Sequence, residues 1–309
     1  EEISNVESME WCEDGQIDEV TFCEAFLQKL PLKCINNVFF GYDGMIPDNE
    51  VEKEIYGMIK PFLTKGISKK VKQLLEVLRL EAYSEELPTQ LDRIHVKNGT
   101  YFLDGEFTEE KDFCLNRLPV NYENREYQPV RWLQFLSELL EQEDIATFQE
   151  YMGYCLIPSN KAQKLLIILG KGGEGKSRIG LVMRKILGVN MNVSSIQKVE
   201  HNRFARADLE YKLLMVDDDM KLEALKDTNY IKSIVTLEDK MDLEKKSKQS
   251  VQGSLYVRFF CFGNGSLSAL HDRSYGFYRR QIILTVKDIP PGRVDDPYLI
   301  EKLQMEVDD

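Results

Sequence analysis

The segment Gly170-Lys171-Gly172-Gly173-Glu174-Gly175-Lys176-Ser177 spaces glycines, a lysine and a hydroxyl as G-x-x-x-x-G-K-[ST]. Glycines let a backbone turn tightly and aim successive N–H groups at one anion. The lysine reaches the outer phosphate oxygens and the serine hydroxyl ligates Mg²⁺. The expected cofactors are therefore ATP and Mg²⁺, lined by Gly170 to Ser177 and by Arg178 just beyond. Three further groups of residues suit phosphate chemistry. Asp217-Asp218-Asp219 ends an apolar run, where one carboxylate would order the metal, with Asp217 and Ser177 as its expected ligands, and the next would polarise water. Which aspartate does which is not fixed by the pattern. Asn264, after Arg258-Phe-Phe-Cys-Phe262, is a polar amide at the tip of another apolar run, suited to sensing a terminal phosphate; standing alone, Asn264-Gly265 reads as a turn. Arg279-Arg280 precede a third apolar run, and arginine lent across an interface stabilises phosphoryl transfer.

Positioning these groups requires strands and helices in a set order. Leu165–Leu169 reads as a buried strand and Ile179–Leu187 as a helix, so the glycine segment lies between strand and helix as its mechanism requires. Lys212–Val216, Arg258–Phe262 and Gln281–Val286 read as further strands. Upstream, Gln16–Lys29 has roughly helical period closed by Pro31, and Val38–Ile46 reads as two short strands around Asp43-Gly44. Glu50–Lys60 and Lys69–Leu80 read as amphipathic helices, Ile94–Leu103 as a hairpin around Asn98-Gly99, and Trp132–Glu141 and Ile145–Leu156 as helices.

A chain of 309 residues suggests two domains, here 1–120 and 121–309. No apolar stretch approaches the roughly 20 residues of a membrane span, and no signal peptide is present, so no membrane partner and a cytoplasmic setting are expected. The chain opens Glu1-Glu2 without Met, which reads as a piece of something longer. Six cysteines form no C-x-x-C pair, which favours reduced thiols over a zinc site. A net charge of −12 excludes a broad nucleic-acid coat but leaves room for a local basic element. Lys240, Lys245, Lys246 and Lys248 make the densest basic run, placed between the acidic strand and the Asn264 strand. In isolation such a run is a solvated loop.

Taken together, the glycine loop, acidic strand end, Lys232 with a charged hairpin, Asn264 strand and Asp272-Arg273-Ser274-x-Gly276-Phe277-x-Arg279-Arg280 resemble the superfamily 3 helicases, in particular the poxvirus-type and phage or plasmid primase-helicases. Phe204-Ala-Arg-Ala-Asp-Leu209 is similar to that branch's approach to its acidic strand, and the resemblance spans about residues 94–287. It implies an α/β fold with a P-loop AAA+-like core, a central sheet flanked by helices, after a smaller, mostly helical N-terminal domain that would be a collar or a DNA-binding piece. It further implies a hexameric ring moving 3′ to 5′ on single-stranded DNA and opening forked duplex, in replication of a phage or mobile element within a bacterial host cytoplasm, with a primase domain or protein as a possible associate. The lysine hairpin would then line the pore, Lys245 and Lys246 foremost. Glu174 departs from the Asn or Thr common at that loop position. Two other classes share the loop: an AAA+-like ATPase that remodels protein or switches with nucleotide, and a small-molecule or nucleotide kinase.

Overall fold

A computed structural model describes residues 9–123, 128–221, 228–236, 240–245, 250–265 and 274–308. Two compact units emerge, Glu1–Thr89 with Lys111–Leu115, and Gln90–Glu110 with Asn116–Asp309. Residues 90–110 and 116–120 thus group with the second unit and Lys111–Leu115 with the first. Backbone pairing explains why the hairpin at 93–102 goes with the second unit: Leu118 N–H donates to His95 O (2.8 Å) and Lys97 N–H to Val120 O (2.8 Å). Arg117 adds bonds to the carbonyls of Val96 (2.7 Å) and Gly99 (2.8 Å).

The first unit contains β1 (Cys12–Glu13), β2 (Gln16–Ile17), α1 (Glu19–Lys29), β3 (Lys33–Ile35), β4 (Val38–Gly41), β5 (Gly44–Ile46), α2 (Asp48–Ile59) and α3 (Ile67–Glu81). Helical period alone extends α1 back to Gln16. The helix starts later because Gln16 and Ile17 pair with Glu13 and Cys12, and Asp18 caps α1 by accepting from Thr21 N–H (2.8 Å). Phe22, Phe26, Phe39, Ile55, Leu74 and Leu78 are fully buried where the three helices meet the β3–β4–β5 sheet.

The second unit runs β6 (Arg93–Val96), β7 (Gly99–Phe102), β8 (Phe107–Thr108), α4 (Val130–Leu139), α5 (Gln142–Tyr154), β9 (Leu165–Gly170), α6 (Ser177–Leu187), β10 (Met191–Val193), α7 (Ile196–His201), α8 (Arg203–Ala207), β11 (Leu214–Met220), α9 (Asn229–Thr236), β12 (Met241–Leu243), β13 (Val251–Gly253), β14 (Arg258–Asn264), α10 (Tyr275–Tyr278), β15 (Gln281–Thr285) and α11 (Leu299–Gln304). Five strands form an all-parallel sheet in the order β10-β11-β14-β9-β15. Such sheets are covered on both faces, which is why their strands read as continuous apolar runs. Along β9, Leu166 and Ile168 face α4, α5, α6 and α11, while Leu165, Ile167 and Leu169 face α7, α9 and α10. Phe260 and Phe262 of β14 join the first face, Phe259 and Cys261 the second. This is the α/β core flanked by helices that the sequence predicts. No described helix is long and apolar enough to cross a membrane.

The ends of this unit are tied together. Glu306 accepts from the first N–H groups of α4, Arg131 (3.0 Å) and Trp132 (2.8 Å), and Lys287 N–H donates to Leu139 O (2.9 Å) at the end of the same helix. Because the five strands run parallel, the C-terminal ends of β9, β11, β14 and β15 share one edge, the usual place for a ligand in an open α/β sheet.

Candidate functional site

At that edge β9 ends in Gly170 and the chain turns through the glycine loop into α6. Gly172, Gly173 and Gly175 take φ of +107°, +86° and +108°, a region that side chains disfavour, so the loop curls inward with its N–H groups converging. Gly170 is required for a different reason. A Cβ there would stand 2.5 Å from Lys176 Nζ, 2.7 Å from Val286 Cγ2 and 2.8 Å from Glu174 Oε1.

Lys176 and Glu174 are both buried, and Lys176 Nζ donates to Glu174 Oε2 (2.7 Å) and to Asn264 Oδ1 (3.1 Å). The other carboxylate oxygen of Glu174 accepts from the backbone N–H groups of Lys171 and of Gly172 (2.9 Å). Burial raises the Glu174 carboxyl, but the hydrogen bonds from Lys176 and from the loop backbone outweigh it and hold the group at about 2. The loop therefore already coordinates an anion with the donors a phosphate would need, which shows that its residues fit a phosphate group.

Because the folded-state value lies below the ordinary 4.5, the Glu174 carboxylate stabilises the fold above about pH 4.5 and loses that contribution as pH falls toward 2. Urea titrations of the chain and of Glu174→Gln should therefore converge on acidification. The advantage of the wild type should shrink by about 1–3 kcal/mol between about pH 6 and about pH 3; parallel pH profiles would refute the assignment.

Asn264 sits at the tip of β14, paired in register with Gly170, and Gly265 N–H donates to Gly170 O (3.1 Å). The sheet thus carries the amide to Lys176 across 88 residues of sequence. The acidic run lies inside β11, with a register shift between Asp217 and Met220. Asp217 is buried and both its oxygens are engaged, with Ile196 N–H (2.7 Å) and Asp219 N–H (3.3 Å). Burial raises its carboxyl, the repulsion of Asp219 and Asp218 adds to this, and the two backbone bonds offset part of it. Asp218 and Asp219 are exposed. Val216, just before the run, faces α6, with its Cγ1 3.5 Å from a Cβ at Gly180, and the register shift falls at Asp218 and Asp219. Ser177, the first residue of α6, is exposed at the loop's mouth.

Arg279 and Arg280 are not brought to this loop. They precede β15 beside the start of β9, where Leu165 N–H donates to Arg280 O (2.8 Å), five residues and roughly 16 Å from Gly170. Arg280 is buried and donates to Gly276 O, whereas Arg279 is exposed. Of the basic run, Lys240 is exposed just before β12 and Lys245 follows that strand, which pairs with β13. Lys245 forms an ion pair with Glu210, and Lys246 and Lys248 lie outside the described residues, as do Asp272 and Arg273.

Two contributors are absent from any sequence motif. Arg293 donates to Gly173 O (2.7 Å) and Glu174 O (3.3 Å) and is itself held by Asp295 (2.7 Å), so the segment after β15 clasps the loop from outside. Beside the loop is a cavity of about 350 Å³ lined by Phe135, Glu174, Arg178, Ile289 and Arg293 among others, within the range of small-ligand sites. Ile289 and the Phe135 ring stand 3.5 and 3.6 Å from where Cβ atoms on Gly173 and Gly175 would be. Only the prolines and glycine of Pro290-Pro291-Gly292 hint at a turn that returns Arg293 to the loop.

Fold and site together define a mixed α/β protein with a phosphate-type loop at the C-terminal edge of a parallel sheet. Residues 168–280 match a family of unknown function, DUF5906. No curated protein matches the sequence. Among solved structures, the A-form apo structure of the NrS-1 C-terminal region is similar with a TM-score of 0.57 and 13% identity, over 94% of this chain and 67% of that one. A second structure of that region gives 0.59 and 14% over the same shares. The chain thus shares the fold of that region. A JCV helicase aligns over 58% of this chain and 51% of that one, at 16% identity and a TM-score of 0.37, too low to bear on the fold.

Proposed function

We propose that the chain is an ATP-driven DNA helicase or translocase of the superfamily 3 type. The observation that supports this reading is the contact of Lys176 Nζ with Asn264 Oδ1 (3.1 Å), a strand-tip amide beside the loop lysine, from which it would sense an outer phosphate. A small-molecule kinase has no need of that amide on the strand next to the loop strand. Lys176, the loop N–H groups of Gly170 to Ser177, and Arg178 bind the triphosphate of ATP, and the cavity beside Phe135 takes its nucleoside. Mg²⁺ would neutralise charge on the phosphates, and Ser177 with one carboxylate of the 217–219 run would hold it; Asp218 and Asp219 are the exposed candidates for metal and water, while Asp217 accepts from Ile196 N–H at the start of α7. Asn264 keeps Lys176 directed into the cradle.

Arg279, exposed and remote from its own loop, serves the site of a neighbouring copy, and Arg280 holds the turn that presents it. This favours a ring, six subunits by the family resemblance, moving 3′ to 5′ on single-stranded DNA at a forked duplex. The first unit would be its collar, and replication of a phage or mobile element in a bacterial cytoplasm its setting, alongside a primase. Lys240, Lys245, Lys246 and Lys248 form the DNA contact. The Lys245–Glu210 pair favours a second reading, an AAA+-like ATPase that remodels protein without unwinding.

Phosphate release measured with and without single-stranded DNA separates the two. The helicase reading expects several-fold stimulation, displacement of a strand from a 3′-tailed fork, and a shallower salt dependence of DNA binding in Lys240→Ala/Lys245→Ala, since each lysine lost releases about one counterion fewer. ATP hydrolysis indifferent to DNA would reject the helicase and leave the remodelling ATPase.

A further inference from the structure

The loop is built for an anion and already contains one. Glu174 is 8% exposed, and its carboxylate takes the N–H groups of Lys171 and Gly172 and the ammonium of Lys176, the donors that the proposed function assigns to phosphate. Glu174 and Lys176 also press against Gly170, where a single methyl would stand 2.8 Å from Glu174 Oε1 and 2.5 Å from Lys176 Nζ, and the donors are spent on the carboxylate. Carboxylate and phosphate therefore exclude each other. Motion of the loop backbone would break the bonds of Arg293 to the carbonyls of Gly173 and Glu174, whereas rotation of the Glu174 side chain leaves them in place. The loop is in its cradling conformation with the side chain of Glu174 in the seat. The same side chain borders the adjacent cavity of about 350 Å³, which has room for a rotated carboxylate and where Arg178 and Arg131 stand among the carboxylates of Glu138, Asp288, Asp295 and Asp296.

We propose that Glu174 is a resident occupant of the phosphate cradle, which nucleotide must displace by side-chain rotation before it binds. The proposal rests on the reading that the loop binds nucleotide. It makes Glu174 a threshold on affinity. Ligands with two or three phosphates recover the displaced hydrogen bonds, and ligands with one phosphate recover few of them. A purely structural Glu174 would instead order the loop for nucleotide, so its removal would weaken binding.

Calorimetric titration of the full chain, Glu174→Gln and Glu174→Ala with ADP and ATP in Mg²⁺ tests this, alongside melting temperatures without nucleotide. Glu174→Ala should bind ADP about tenfold tighter or more, on the scale of one charge-assisted hydrogen bond, and Glu174→Gln should gain in the same direction. Both should melt lower without nucleotide and gain more from adding it. Binding by the wild type with equal or weaker binding by both variants would overturn the proposal. Binding by the variants alone would support it strongly. No binding by any of the three would overturn the nucleotide reading itself, and this proposal with it.

Discussion

Lys176→Ala should lower ATP turnover by at least about 10²–10³-fold, the usual cost of removing a charged donor from the site where negative charge develops. Its ammonium lies between Glu174 and Asn264 and has no other described partner, so its role in the folded chain is confined to the loop and the neighbouring strand tip. The substitution has a second effect that must be separated from the first. It leaves the Glu174 carboxylate buried without its cation, a loss of about 1–3 kcal/mol. A fall in activity caused by a weakened fold would recover in Lys176→Ala/Glu174→Gln, which removes the stranded charge, whereas loss of the phosphate contact would not. Phosphate release and melting temperature measured on both variants distinguish these outcomes. Near wild-type turnover in Lys176→Ala would sink the ATPase assignment.

Asp218→Asn and Asp217→Asn should part company. Asp217 faces backbone N–H groups at Ile196 and Asp219 and is buried, so its amide variant exchanges an acceptor for a donor against Ile196 N–H or accepts with one oxygen only. Its melting temperature should drop by several degrees, as for a loss of about 1–2 kcal/mol. Asp218 is exposed at the sheet edge, and Asp218→Asn should melt like the wild type yet lose about 10²-fold or more in turnover, with a raised requirement for Mg²⁺. The reverse pattern, in which Asp217→Asn is folded and inactive and Asp218→Asn active, would return the metal to Asp217.

What was legible in the sequence was what local spacing dictates. The loop and its flanking strand and helix are contiguous, and Asn264 was visible because an apolar run ends in an amide. The central strands were readable because a parallel sheet buried on both faces leaves no polar alternation to obscure them. Partners that lie far apart in the chain were not legible. Arg293 reaches back 120 residues to Gly173 O, and Asp217 bonds a backbone N–H that no side-chain pattern reveals. Lys245 reads as free charge until the fold brings Glu210 to it across 35 residues. Likewise helical period extends α1 too far, because it is blind to the β1–β2 pairing that claims Gln16 and Ile17.

The ties between the two ends of the second unit bear on how the chain is made. The N–H groups that open α4 wait for a carboxylate 175 residues later, and the carbonyls of the glycine loop wait for Arg293. On a ribosome adding about 5–20 residues per second, the sheet strands emerge one after another while α4 has no cap and the loop no clasp. A nascent chain stalled before Arg293 would present the glycine loop without the contact that fixes its shape, so the loop takes its final form only after residue 293 has been made.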